Sequence, residues 1–390
     1  MNPPTVADVI VIGLGAFGSA TAWQLARRGA RVIGIDRFAP PHDRGSSHGA
    51  TRITRLAIGE GELYVPIVLR SHQIWQALEA AHGERLYLKT GGLTMGAGVG
   101  QAHHHRRPDF LRRTIAAARR FDIPHEVLNA AEVAARFAQF LVRGDEVAYY
   151  EPDAGVLKPE RCVAVQLEAA RRAGAVLRLN ETVLAIESAP GGAAVRTDRG
   201  SVAAGHVIVT AGPWLPGLVG GAYAAQLRVM RQALHWFRPA EPALYASPGC
   251  PVFIWMHGSG DGDTFYGFPM VDGFGGVKVA TEQYRQTTDP DHLVREVGAE
   301  ESADMHARHV AGRLRSVTPE RVHAAACPYT VSPDSGFVVD RHPTLDHVTV
   351  VSACSGHGFK HSAGLGEALA QATLGEVPFI DLGALSLRGP

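Results

Sequence analysis

At 390 residues the chain is long enough for a large core and two domains. Its 38 Lys and Arg balance 38 Asp and Glu, so the formal charge is zero and no nucleic acid or other polyelectrolyte partner is implied. No apolar stretch is long enough to span a bilayer, the first residues lack signal-peptide character, and the four cysteines form no C-x-x-C pair. The expectation is therefore a cytoplasmic protein with no metal site.

The first 36 residues carry the most specific pattern. Asp8-Val9-Ile10-Val11-Ile12 is a short β-branched run of the kind buried on both faces of a sheet. It ends in Gly13-Leu14-Gly15-Ala16-Phe17-Gly18, a G-x-G-x-x-G match, and helical spacing follows through Ala20, Trp23, Leu25 and Ala26 as far as Gly29. A second strand over 31–35 delivers Asp36. In such a unit Gly13 permits a tight turn, Gly15 lets a pyrophosphate approach the backbone, and Gly18 lets helix and strand pack closely. The phosphates meet free N–H groups at the helix start, and the acid accepts hydrogen bonds from a ribose diol. Strand, glycines, helix, strand and acid in this order predict a dinucleotide site, without separating FAD from NAD.

Farther along, strand and helix signals alternate, which favours an α/β architecture. The polar segment 101–108 contains His103-His104-His105-Arg106-Arg107. It reads as a solvated loop, because three adjacent side chains cannot all face one ion. Segments 176–183 and 193–197 read as hairpin strands, followed by a buried strand that ends in glycine over 206–212. The stretch 223–288 is richer in aromatics and reads as β-rich, with Tyr266-Gly267-Phe268-Pro269 at a turn. Val277-Lys278-Val279 has the pattern of an apolar strand and would bury its lysine, whereas the glycines over 273–276 suit a surface loop. Strands are expected at 337–339 and 348–352, then a turn at Ser355-Gly356-His357-Gly358-Phe359-Lys360 and a helix over 360–374 stopped by Gly375. Together the two ends of the chain suggest one large cofactor held by a discontinuous domain, with the substrate domain inserted into it.

One set of motifs goes further. It comprises Gly45-Ser46-Ser47-His48-Gly49-Ala50-Thr51-Arg52-Ile53-Thr54-Arg55, Gly59-Glu60-Gly61-Glu62, Tyr64-Val65-Pro66, Tyr266 to Pro269, Lys278, Cys327-Pro328-Tyr329 and the closing Ser355 to Lys360. In this order they resemble the monomeric sarcosine oxidase and N-methyltryptophan oxidase family of flavin amine oxidases, along essentially the whole chain. The resemblance implies a glutathione-reductase-like FAD domain (1–90, 150–222 and 323–390) and a mixed-sheet substrate domain (91–149 and 223–322). It implies FAD joined through a thioether to Cys327, a residue that read alone is an ordinary buried thiol. Cofactor contacts are implied at Ala16, Phe17, Arg37, Ser46, His48, Thr51, Arg52, Val183, Gly212, Trp214, Gly356, His357, Gly358, Phe359 and Lys360, besides Gly13, Gly15, Gly18 and Asp36.

By the same resemblance, Arg55 and Lys360 grip the substrate carboxylate, Arg55 as a planar fork and Lys360 as a point charge. Lys278 becomes the site of oxygen activation, where a cation stabilises superoxide. Arg52, His357 and Tyr266 complete the catalytic set, and Tyr266 also contacts substrate. Two positions depart from the family pattern: Glu282 stands where a histidine is usual, and Leu56-Ala57-Ile58 replaces His-Ala-Tyr. Both positions, Glu282 and Ile58, approach substrate in the family, so the reaction class transfers better than the substrate. The expected reaction oxidises a secondary N-methyl amino acid, sarcosine- or N-methyltryptophan-like, to an imine with O2, giving H2O2 and, after hydrolysis, formaldehyde and the amino acid, in a monomeric enzyme. A cyclic imino-acid oxidase, an oxygen-independent flavin dehydrogenase and an NAD-dependent dehydrogenase are the alternatives, with a non-catalytic flavin-binding module a weaker one.

Overall fold

A computed structural model describes residues 5–97, 104, 105, 107–260 and 262–387. Two eight-stranded sheets and one small three-stranded sheet organise them. The first sheet has a parallel centre, in which Val176–Leu179, Val32–Asp36, Thr5–Ile12, Gly200–Val209 and Val348–Ser352 run side by side. Val9, Ile10, Val11 and Ile12 are at most 3% exposed, as expected of a strand covered on both faces. Helix Ala16–Ala26 covers one face and packs on helix Ser362–Thr373. Gly366 permits the close approach, because a Cβ there would lie 2.5 Å from the Cβ of Ala20.

Parallel strands aligned in this way bring their carboxyl ends to one edge, where α/β sheets bind ligands. Here those ends deliver Gly13, Asp36, Thr210 and Ala353 to one cavity. The sequence reading paired 176–183 with 193–197 as a hairpin, and the structure corrects this. Val176–Leu179 is instead an outer parallel strand beside Val32–Asp36, and Val183–Ala189 forms the hairpin with Gly192–Thr197. Alternation alone cannot distinguish these pairings, since both segments have strand periodicity.

The second sheet runs, in order, Val317–Val331, Arg228–Pro239, Val277–Ala280, Thr264–Phe268, Val252–Met256, Gly92–Ala97, Glu146–Glu151 and Glu126–Asn129. Tyr266-Gly267-Phe268 lies within a strand rather than at the expected turn. Gly267 marks a close packing point, where a Cβ would meet the Phe253 ring at 2.3 Å. Lys278 is paired with Trp236 on one side and Phe268 on the other. Since side chains directly opposite share a face, Lys278 emerges with Phe268 and Tyr266 toward the first sheet's cavity edge.

Candidate active site

Two adjoining cavities meet between the sheets. The larger, with about 1430 Å3 of unfilled space, is lined by Gly13, Gly15, Ala16, Phe17, Asp36, Arg37, Ser46, Val183, Gly212, Trp214 and Gly358. The smaller, of about 540 Å3, is lined by Thr51, Arg55, Tyr266, Lys278, Glu282, His357 and Lys360. Arg52, Tyr329, Gly356 and Phe359 border both.

The larger cavity is a cradle for a dinucleotide. Gly13 adopts φ +84°, and a Cβ on Gly18 would lie 1.8 Å from the Gly13 carbonyl oxygen, so the turn and helix start close only on glycine. Gly18 therefore serves packing and does not line the cavity. Asp36 accepts hydrogen bonds from Leu14 N at 2.7 Å and Phe38 N at 2.8 Å. These fix its carboxylate at the cavity wall while leaving lone pairs for a diol. Ser47, which the motif reading left without a role, holds the start of the helix by accepting from Ala16 N at 3.2 Å.

Lys278 is 1% exposed, and its Nζ donates to the Gly49 carbonyl (2.6 Å), the Thr51 carbonyl (3.1 Å) and Thr51 Oγ1 (3.0 Å). No carboxylate pairs with it among the described residues. Burial, followed by the nearby Arg52, pushes its pKa well below the ordinary lysine value. Arg52 itself donates to the carbonyls of Thr51 (2.8 Å) and Ser46 (2.7 Å), which braces the loop between the cavities. Tyr266 Oη lies 3.3 Å from Tyr329 Oη, and burial raises the Tyr266 pKa.

Arg55 is held inside the smaller cavity by a residue to which the sequence reading gave no role. Its Nη2 donates to both oxygens of Glu60 (2.8 and 2.7 Å), and its Nη1 donates to the Ala57 carbonyl. The turn that carries Arg55 is itself pinned, because the buried Glu151 accepts from Leu56 N and Ala57 N. Lys360 Nζ donates to the His357 carbonyl at 2.7 Å and lies 3.9 Å from Glu60. Burial pulls the Lys360 pKa down to about 7, against the opposing effect of Glu60. Burial also opposes ionisation of Glu60, but Arg55 and Lys360 outweigh it and hold that carboxyl well below its usual value.

The described histidines of the run are not solvated. His104 and His105 are 6% and 5% exposed and line the smaller cavity; His103 lies outside the described residues. His105 Nε2 is 2.9 Å from Glu282 Oε1 and its Nδ1 is 3.2 Å from Glu60 Oε1. Although burial works against it, Glu282 and Glu60 raise the His105 pKa to about 9. In turn His105 overcomes burial to hold Glu282 at about 2. The pairing of a loop histidine with Glu282 was invisible in sequence because 177 residues separate the two.

Gly356, at φ +85°, faces this pair, and a Cβ there would meet Glu282 Oε1 at 2.9 Å and His105 Nε2 at 3.1 Å. His357 stacks on Phe337 at 4.7 Å and its Nε2 lies 2.9 Å from the Ser335 carbonyl; burial keeps it well below the usual histidine pKa. Besides Gly18, three expected site residues sit outside both cavity linings. Ile58, 1% exposed, belongs to the core with Val65 and Phe110, so it does not form the substrate wall. His48 is buried, with its pKa lowered to about 3 by burial and then by Arg52. Cys327 is fully buried against Met230, Trp236 and Tyr329, and burial raises its thiol pKa despite Arg52 and Lys278. Cys354, to which no role was assigned, lines the larger cavity.

Comparisons with known proteins agree with this geometry. The family described as FAD dependent oxidoreductase (DAO) matches residues 8–372. The monomeric sarcosine oxidase of Streptomyces avermitilis is 37% identical, over 94% of this chain and 93% of that protein. The N-methyl-L-tryptophan oxidase of Yersinia pestis is 33% identical, over 97% and 98%. Among solved structures, NikD, an unusual amino acid oxidase essential for nikkomycin biosynthesis, superposes with a TM-score of 0.81, covering 99% of this chain and 98% of that one at 24% identity. L-proline dehydrogenase from P. horikoshii superposes at 0.76, over 98% and 97%, with 20% identity. The glycine cradle, the placed acid and the long cavity fit FAD, and the chain belongs to the FAD dependent oxidoreductase (DAO) family.

Proposed function

We propose that this oxidoreductase converts a secondary α-amino acid, N-methylated or cyclic, to its imine with O2 as the final acceptor. One observation carries the reading: two cations, Arg55 and Lys360, end in a small cavity that shares Arg52, Tyr329, Gly356 and Phe359 with the FAD cradle. When bound, FAD accepts the two electrons of the amine and passes them to O2. The residues do the rest. Arg55, oriented by Glu60, and Lys360 bind the carboxylate, which fixes the carbon beside nitrogen. Tyr266, Phe268 and Ile254 exclude water from that end of the cavity. Lys278 supplies positive charge where oxygen gains its first electron once it is protonated, a step that its lowered pKa makes part of the role. For an N-methyl substrate the overall balance is amine, O2 and water giving the demethylated amino acid, formaldehyde and H2O2.

The finer assignments belong to the same proposal. We assign the flavin tether to Cys327, and the site contacts to the cavity-lining residues described above. We assign one domain to each eight-stranded sheet with the bounds given above, which strands Glu146–Glu151 and Val317–Val331 of the second sheet both cross. The protein acts as a monomer. Its four cysteines are free, and no described helix is long and apolar enough to cross a membrane; we place it in the cytoplasm.

Arg55→Ala tests the carboxylate grip. It should raise KM for the acid by about tenfold or more, the worth of a charge-assisted hydrogen bond, and change KM for the corresponding ester far less. Equal changes for acid and ester would remove the assignment. For the tether, Cys327→Ser should release the yellow colour on acid precipitation and Cys354→Ser should not. The opposite result would move the bond to Cys354.

A further inference from the structure

We propose that His104, His105 and Glu282 form a binding site for a zinc-class divalent cation inside the smaller cavity. One nitrogen from each histidine and one Glu282 oxygen lie within 4.8 Å of one another, and all three residues line that cavity. Zinc bound by two imidazoles and a carboxylate keeps bonds of about 2.0–2.2 Å and leaves a fourth position open. On such a tetrahedral ion two donors stand about 3.4 Å apart, so the 2.9 Å hydrogen bond between His105 Nε2 and Glu282 Oε1 has to open by about half an ångström and His104 has to move inward to complete the set.

The surroundings of the donors carry the argument further than the cluster alone. Metal-binding histidines characteristically face a carboxylate with their second nitrogen, and metal-binding carboxylates are themselves hydrogen-bonded. Both features are present. His105 Nδ1 sits 3.2 Å from Glu60 Oε1, and Tyr284 Oη donates to Glu282 Oε2 at 2.6 Å. Glu60 is in turn anchored by Arg55, and Lys360 is the other cation nearby. A donor set of two nitrogens and one oxygen suits Zn2+, Co2+ or Ni2+ better than Mg2+ or Ca2+, which prefer oxygen alone. The site also accounts for two separate peculiarities of the sequence, the histidine run and the acid at 282, which the fold brings to one place. Since the donors line the cavity assigned to the amino acid, the ion excludes substrate.

The test is equilibrium dialysis of the purified flavin-loaded protein against ZnCl2, with metal content measured and no turnover required. One Zn2+ per chain is expected. His104→Ala and Glu282→Gln should each weaken binding more than about tenfold, at least the loss typical of an outer partner, and Tyr284→Phe by about tenfold. Flavin content and circular dichroism of each variant establish that it is folded. His292→Ala, at an exposed histidine outside both cavities, should bind as the parent does. Absence of saturable binding, or binding that survives both His104→Ala and Glu282→Gln, would overturn the site. Because binding is measured without turnover, this result is independent of the proposed oxidase reaction. Zn2+ that binds as expected but fails to raise KM for the amino acid would overturn the exclusion of substrate.

Discussion

At the scale of single residues, the site works by charges that are buried and mutually compensated. Glu60 is the centre, with Arg55, Lys360, His105 and His357 all turned toward it. Arg55 and Lys360, the proposed carboxylate ligands, were legible as candidates because the Thr54-Arg55 and Phe359-Lys360 motifs resemble family patterns. Glu60 stood in an equally visible motif, but partnership across space gives no signal in a single sequence. Lys360 supplies a pH prediction. Its pKa of about 7 means that it loses its charge as pH rises through 7 in the free protein. Binding of a simple carboxylate without an amine should therefore weaken as pH rises through about 7. That dependence should vanish in Lys360→Met, and a parent profile flat from pH 6 to 8 would contradict it. The same shift acts on stability. The unfolded chain binds this proton up to the ordinary lysine value of 10.5 and the folded chain only to about 7, so this group's contribution to stability rises with pH between those values.

At the scale of elements, the glycine-rich unit was readable because every part obeys a local rule. Thr5–Ile12, Ala16–Ala26 and Val32–Asp36 fall where β-branched runs and helical spacing put them. Strand Val277–Ala280 was read equally well, and it buries Lys278 as its apolar neighbours required. Reading failed where pairing or tertiary cover decides. The partner of Val176–Leu179 is a strand more than 140 positions earlier, and His104 and His105 are buried by contacts with Glu282 and Phe110. The turn at Gly356 offers a prediction at this scale. Alanine there would have to adopt φ +85° and place its Cβ against Glu282 and His105. Gly356→Ala should cost about 1 kcal/mol or more in urea-induced unfolding and raise KM by displacing the Glu282–His105 pair. Unchanged stability and KM would show that the loop relaxes freely.

At the scale of the whole molecule, the parallel sheet presents its strand ends as a cradle, and the second sheet closes one end with Lys278 and Tyr266. The chain's two termini build the cradle together, which is why motifs more than 300 residues apart belong to one site. The fold class followed from alternation and motif order, while substrate identity depends on side chains that meet only in three dimensions. The most direct measurement mixes the purified yellow protein anaerobically with N-methyl and cyclic amino acids, follows flavin absorbance, and then admits O2. The account predicts bleaching by such a secondary amino acid, recovery in air and one H2O2 per cycle, with Lys278→Met slowing only the recovery, by about 100-fold or more. A flavin that dithionite reduces but no secondary amino acid does, or a reduced flavin that O2 fails to restore, would contradict it.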